Sequence, residues 1–240
     1  MQYGGYRYGY FSFDWTYLLV IIGAALSMAA SARVNKIFNR YAVSFARCGM
    51  TGADVARRIL SLNGIYGVSV RQVPGNLTDH YDPRSRTVNL SESVYGSSSI
   101  SAIGVAAHEC GHAIQDAKGY EPLRIRAALV PVANFGSRLS LPLILIGIFL
   151  GGFAPLLKIG IFMFGLAVLF QIITLPVEFN ASARALRILT DSGMLMEEET
   201  RQARQVLQAA ALTYVAGATA SVLQLFRLLI LFGGHKDHDQ

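Results

Sequence analysis

The chain has 240 residues, of which 52% are hydrophobic and only 15% charged. Soluble domains carry roughly 25% charged residues, so the composition argues against an ordinary soluble domain and for a membrane protein. The net charge of +6 raises nucleic acid as a partner, but the basic residues sit beside apolar runs, where they set topology and contact lipid; no nucleic acid is expected.

Residues 1–14, rich in Tyr, Phe and Gly, read as an aromatic tail suited to the membrane–water interface or as a disordered one. Trp15 to Ala32 is free of charge, and its 18 residues are enough for a spanning helix. Ala30-Ser31-Ala32 resembles a signal-peptide cleavage site, but Arg33, Lys36 and Arg40 follow the segment, whereas a signal peptide carries its basic residues in front.

Residues 33–138 form a polar stretch. Thr51 is placed to cap a short helix running to about Leu62 and stopped near Gly64. Gly67 to Val73 alternates and predicts a strand. Leu77 to Asp82 and Thr87 to Ser91 predict two more, with a turn at Pro83-Arg84-Ser85-Arg86. Ser98 to Ser101 offer caps for a helix that ends near Gly119.

Leu139 to Leu157 and Ile159 to Val177 are two further apolar runs. Only Lys158 separates them, which predicts a hairpin whose outer ends return to one side of the membrane. Residues 178–208 are charged and helical in pattern. Ala209 to Phe232 is a fourth, weaker span, followed by a polar tail over 233–240. The two cysteines, Cys48 and Cys110, give no disulfide framework.

The strongest chemical signal is His108-Glu109-Cys110-Gly111-His112. Two histidines four apart share one face of a helix, about 6 Å apart along the axis, and both imidazoles can reach one zinc ion. Glu109, about 100° around the helix, can lie beside the metal and take a proton from the attacking water. Cys110 and Gly111 point away from that face. The bland reading is a chance match on an amphipathic helix, which a chain with five His seldom produces.

A catalytic zinc needs a third protein ligand and an open position. His235 and His238 lie in the polar tail, beyond the fourth span. Glu178 directly follows an apolar run, where a carboxylate is costly unless it is neutralised. The hairpin returns it to the face from which the motif helix departs. An interfacial Glu in water is the alternative.

The pair His-Glu-x-x-His and Glu178-Phe179-Asn180-Ala181-Ser182 resembles the YugP-type neutral zinc metallopeptidases of bacterial membranes. Thr51-Gly52-Ala53, His80-Tyr81-Asp82-Pro83 and Val88-Asn89-Leu90-Ser91 extend the likeness over nearly the whole chain. More distantly it is similar to the HtpX-type and CAAX prenyl protease class. The resemblance implies an α-helical multi-pass membrane protein with about four spans and a small α+β zincin-like, or gluzincin, catalytic domain. It also implies a Glu third ligand within a Glu-Phe-x-Ala-Asp pattern, which maps onto Glu178 with Ser182 in place of the Asp. Asp116, one turn beyond His112, could then orient an imidazole, or simply face solvent. In similar proteases an edge strand before the zinc helix pairs with extended substrate. Thr87 to Ser91 would serve here, with Asn89 in it, unless it is an internal strand. His80 could contact the oxyanion, and Asn180 and Arg184 could line the site.

The expected reaction is peptide-bond hydrolysis by zinc-activated water, with Glu109 as general base and Zn2+ held by His108, His112 and Glu178. The expected partners are the lipid bilayer and a peptide or membrane-protein substrate; oligomeric state and any adaptor stay open. The alternative is a zinc-binding membrane scaffold without protease activity. A channel is disfavoured, since Gln171 and Thr174 are nearly the only polar residues inside the spans. Thirteen of the Lys and Arg residues fall within 33–138. The positive-inside rule therefore puts that region, and the site, on the cytoplasmic side of the cell membrane.

Overall fold

The computed structural model describes residues 14–233. Its order is α1 (Tyr17–Ala42), α2 (Gly52–Leu62), β1 (Ser69–Val73), β2 (His80–Asp82), β3 (Thr87–Ser91), α3 (Glu92–Tyr95), α4 (Ile100–Ala117), α5 (Glu121–Phe149), α6 (Ala154–Asp191) and α7 (Glu197–Phe232). The aromatic segment before Asp14 and the tail after Gly233, with His235 and His238, lie outside the described residues.

Four helices, α1, α5, α6 and α7, are long and apolar enough to cross a membrane. Little of them is covered: in the most apolar stretch of α1 only 11% of residues are buried. Leu18, Ile21, Ile22 and Leu26 on α1, and Leu141, Leu145, Ile146 and Phe149 on α5, stand exposed. A monomeric soluble protein rarely leaves continuous apolar surface of this extent, whereas lipid covers it at no cost.

The hairpin between α5 and α6 closes earlier than its charge pattern predicts. Leu150 to Phe153 make the turn, with Gly151 and Gly152 at φ 73° and 88°. That left-handed region is open to glycine and strained for other residues. Lys158 lies inside α6, not at the tip. Nor is Glu178 at a helix start: α6 runs unbroken from Ala154 through Pro176 to Asp191. The charged segment after it is two elements, the end of α6 and the start of α7, with a break at residues 192–196.

The water-soluble part is built on α2, α4 and a three-stranded sheet. Thr51 caps α2 as predicted, accepting from the Asp54 amide while the Asp54 side chain bonds back to the cap. Reciprocal bonding of this kind satisfies two amides that a helix start leaves free. Ser99 caps α4, and Gly119 at φ 63° follows its end. The sheet order is β1-β3-β2, with β1 parallel and β2 antiparallel to β3. Thr87 to Ser91 is therefore the central strand, and the edge-strand role expected for it is overturned: both its ladders are already occupied by chain. The edge strand on the motif side is β2, which packs against α4.

The core lies between these elements and the water-facing ends of α6 and α7. Val55, Ile59, Leu90, Ile103, Ile114, Leu189 and Val206 are its large, fully buried members. Helix α4 threads through it and presents small residues to its neighbours. A Cβ on Gly111 would stand 2.6 Å from the carbonyl oxygen of Ala181, so α4 and α6 touch backbone to backbone at the level of the histidines.

Candidate metal centre

His108 and His112 project from one face of α4, one turn apart, with ring centroids 4.7 Å apart and planes at 85°. Glu178 arrives from α6. Its Oε2 lies 3.2 Å from Nε2 of His108 and 3.5 Å from Nε2 of His112. The three ligand atoms all fall within 4.8 Å of one another. Donors around a tetrahedral zinc at about 2.0–2.1 Å stand about 3.3 Å apart, so the spacing fits that ion.

The opposite edges of the two rings are tied down. Nδ1 of His108 lies 3.1 Å from Ser182 Oγ. Nδ1 of His112 lies 3.0 Å from Gln115 Oε1. The amide of Gln115 has one orientation, because its Nε2 donates to the Val177 carbonyl at 2.8 Å and to Asn180 Oδ1 at 3.0 Å. Its Oε1 can only accept, so Nδ1 of His112 carries the hydrogen. In the neutral ring Nε2 then holds a lone pair, aimed at a carboxylate oxygen. Two electron-rich atoms facing each other in a buried site call for a proton or a metal cation between them. A donor set of two imidazoles and a carboxylate suits zinc.

Several predicted residues take other places than expected. Asp116 is exposed and accepts from the Tyr81 hydroxyl at 2.8 Å; it orients no imidazole. Burial, and then the bond to Asp116, push the Tyr81 phenol well above its usual pKa, so it remains a donor. Gln115 has the role expected of Asp116, and it was missed because a carboxylate is the commoner partner of a metal-bound His. Ser182, where similar proteases have Asp, bonds His108 directly. Asn180 and Arg184 stand behind the site: Arg184 Nε donates to Asn180 Oδ1 at 2.7 Å, and Asn180 braces Gln115. His80 lines the cavity beside the histidines, and Asn89 meets its Nε2 across the β2–β3 ladder at 3.2 Å. Cys110 is fully buried on the far face, where burial pushes its thiol well up and keeps it inert.

Glu109 is only 7% exposed, yet it makes no hydrogen bond or ion pair among the described residues. It faces two cavities, of about 240 and 230 Å³, which meet at Asp79, His108, Glu109, Glu178 and Tyr214. The first also holds His112, Arg126 and the β2 edge. Arg126 Nη1 lies 3.4 Å from Glu178 Oε1, and Tyr214 of α7 stands beside Glu178. Neither residue was found by sequence reasoning, because nothing local ties residues 126 and 214 to the motif. Only the fold brings α5 and α7 over α4.

A family model described as "Putative neutral zinc metallopeptidase" matches residues 16–233. The chain belongs to that family. It is also 47% identical over 221 residues to the "Putative membrane protease YugP" of Bacillus subtilis (strain 168), an alignment covering 92% of this chain and 98% of that relative. No solved structure matches the chain significantly. The metallopeptidase family model reaches from before α1 to the end of α7, so the four apolar helices are part of the family's own extent and not an addition to it.

Proposed function

We propose that the chain is a membrane-embedded zinc metallopeptidase of gluzincin type that hydrolyses peptide bonds, with Glu109 as general base. The observation that carries this reading is Glu109 itself. A nearly buried carboxylate, free of partners, stands on a cavity beside two histidines and a glutamate whose ligand atoms converge. A structural zinc is enclosed by four protein ligands; here three donors face open space, which argues against the scaffold alternative.

His108, His112 and Glu178 would hold the ion, which when bound supplies Lewis acidity toward a carbonyl and toward water. Glu109 takes the proton from the attacking water and delivers it to the leaving amine. Ser182 and Gln115 hold the imidazoles in register from behind. Arg126 offsets the charge of Glu178, and Tyr214 offers a phenol on the cavity wall for the developing oxyanion. The exposed edge of β2 offers backbone groups to an extended peptide, in place of the internal β3. The substrate class is a membrane protein or a peptide close to the bilayer, because the site sits where apolar helices end.

The test is Glu109→Gln. The amide cannot act as a base, while both histidines and Glu178 remain. Purified protein should retain zinc and fold and lose hydrolysis of a casein-like or fluorogenic peptide by at least a hundredfold. Turnover equal to that of the parent would remove Glu109 from the reaction.

A further inference from the structure

Two grooves larger than the cavities at the metal centre lie elsewhere among the described residues. Helices α1, α6 and α7 enclose this adjoining pair, of about 830 and 770 Å³, which share Arg33, Ile37, Gln205, Leu212 and Val215. The walls are apolar, including Phe179 and Leu186 on α6 and Leu212 and Val215 on α7. Toward the apolar part of the helices the groove continues past Leu26, Ala30 and Ala216.

Its charge lies at one end. Arg33, Lys36 and Arg40 of α1, Arg187 of α6 and Arg204 of α7 all line it, against one acid, Asp191. Arg33 directly follows the charge-free run of α1, with Lys36 and Arg40 one and two turns beyond it, Arg187 lies nine residues past Glu178 on α6, and Arg204 stands five residues before Ala209 on α7, so three helices bring cations to one groove. All five are exposed. Arg40 stacks on Tyr41 at 5.5 Å. Arg33, Lys36, Arg187 and Arg204 have no hydrogen bond, ion pair or ring contact among the described residues. Five cations converging on one anion, at the edge of an apolar trough, are complementary to a molecule with an acidic head and hydrocarbon tails. A soluble phosphate would leave the apolar walls unused, and a zwitterionic lipid would leave the charge uncompensated.

We propose that this groove binds an anionic glycerophospholipid, its phosphate held by Arg33, Arg187 and Arg204 and its acyl chains lying along the seam between α1 and α7. The occupant stands next to the metal centre, because Ser182, Leu207 and Ala211 line both the groove and the smaller cavity behind Glu109. The proposal rests on the membrane setting of the helices and not on catalysis.

The experiment is native mass spectrometry of the full chain in mild detergent, titrated with dioleoyl phosphatidylglycerol or dioleoyl phosphatidylcholine. Three proteins are compared: the parent, Arg33→Gln/Arg187→Gln/Arg204→Gln, and the charge-matched control Arg71→Gln/Arg84→Gln/Lys118→Gln on the water-facing part. The parent should retain phosphatidylglycerol at least tenfold better than phosphatidylcholine. The groove variant should lose about tenfold, and the control should stay within twofold of the parent. Equal retention of the two lipids, or undiminished retention by the groove variant, overturns the proposal. An equal loss in the control also overturns it, since diffuse surface charge would then explain binding. So does displacement of the lipid by an acidic hexapeptide at equal concentration, which would make a peptide the occupant. Should the triple variant fail to fold, Arg187→Gln/Arg204→Gln is read the same way, with a smaller loss expected. Zinc content is measured in parallel and should not change, so failure here leaves the peptidase reading standing.

Discussion

Gln115 shows how much of the candidate metal centre rests on a residue outside the three whose donor atoms converge. It fixes the hydrogen on His112, braces Asn180 and occupies the Val177 carbonyl, all from a fully buried position. Gln115→Leu keeps the volume and removes all three bonds. Losing the partner that holds a metal-bound imidazole from behind costs about 10–100-fold in metal affinity, so zinc affinity measured by competition with a chelator should fall by that factor while the helical content holds. Glu178→Ala acts more directly. Two protein ligands hold zinc weakly, and dialysis against a mild chelator should strip the ion; full retention would remove Glu178 from the ligand set. The convergence of the three side chains is legible in the sequence in part: helical spacing alone places His108 beside His112, and Glu178 stands out because it follows a long apolar run. Gln115 was missed although it lies only three residues beyond His112, because Asp116 beside it is the more usual type of partner for a metal-bound imidazole. Arg126 and Tyr214 were not legible, since their position is a property of helix packing.

Among the elements, the contact of α4 with α6 has the least room. Gly111→Ala brings a methyl to 2.6 Å from the Ala181 oxygen, and backbone cannot give way as a flexible side chain can. The helices must separate, at a cost of about 1–3 kcal/mol by analogy with other overpacked cores. Because Ala181 lies between Glu178 and Ser182, the same shift pulls Glu178 away from His108 and His112. The expected result is a lower melting temperature together with weaker zinc binding, read by circular dichroism and chelator competition. Secondary structure in the polar region follows its local signals closely: the Thr51 and Ser99 caps and the β3 bounds all stand where the sequence puts them. The hairpin turn was misplaced because a lysine between apolar runs reads as a surface residue. A long side chain can carry its charge to water from inside a helix, whereas Gly151-Gly152 supplies the backbone that reverses the chain. The central place of β3 was hidden for another reason: strand order is set by what packs on the sheet, which alternation along one strand does not encode.

For the whole molecule, orientation is the next quantity to measure. The end of α1, the start of α5, the end of α6 and the start of α7 all meet the part that carries α4, and the basic residues gather there. The positive-inside rule then predicts a cytoplasmic site. In a Cys48→Ser background, with Cys110 buried, Ser85→Cys should resist an impermeant thiol reagent on intact cells and react after lysis; labelling from outside would reverse the orientation. The unbroken course of α6 bears on what the bilayer itself does to such a site. Its 38 residues make a rod about 57 Å long at 1.5 Å per residue, with one end in lipid and Glu178 about two thirds of the way toward the other. A bilayer thinner or thicker than the rod prefers is met by tilt. The one interior proline of that rod, Pro176, lies two residues before Glu178, where the backbone lacks a donor and bends most readily. If Glu178 holds the ion as proposed, acyl-chain length would act mechanically on it, and the rate in vesicles should peak at one lipid length even for a substrate that never enters the membrane.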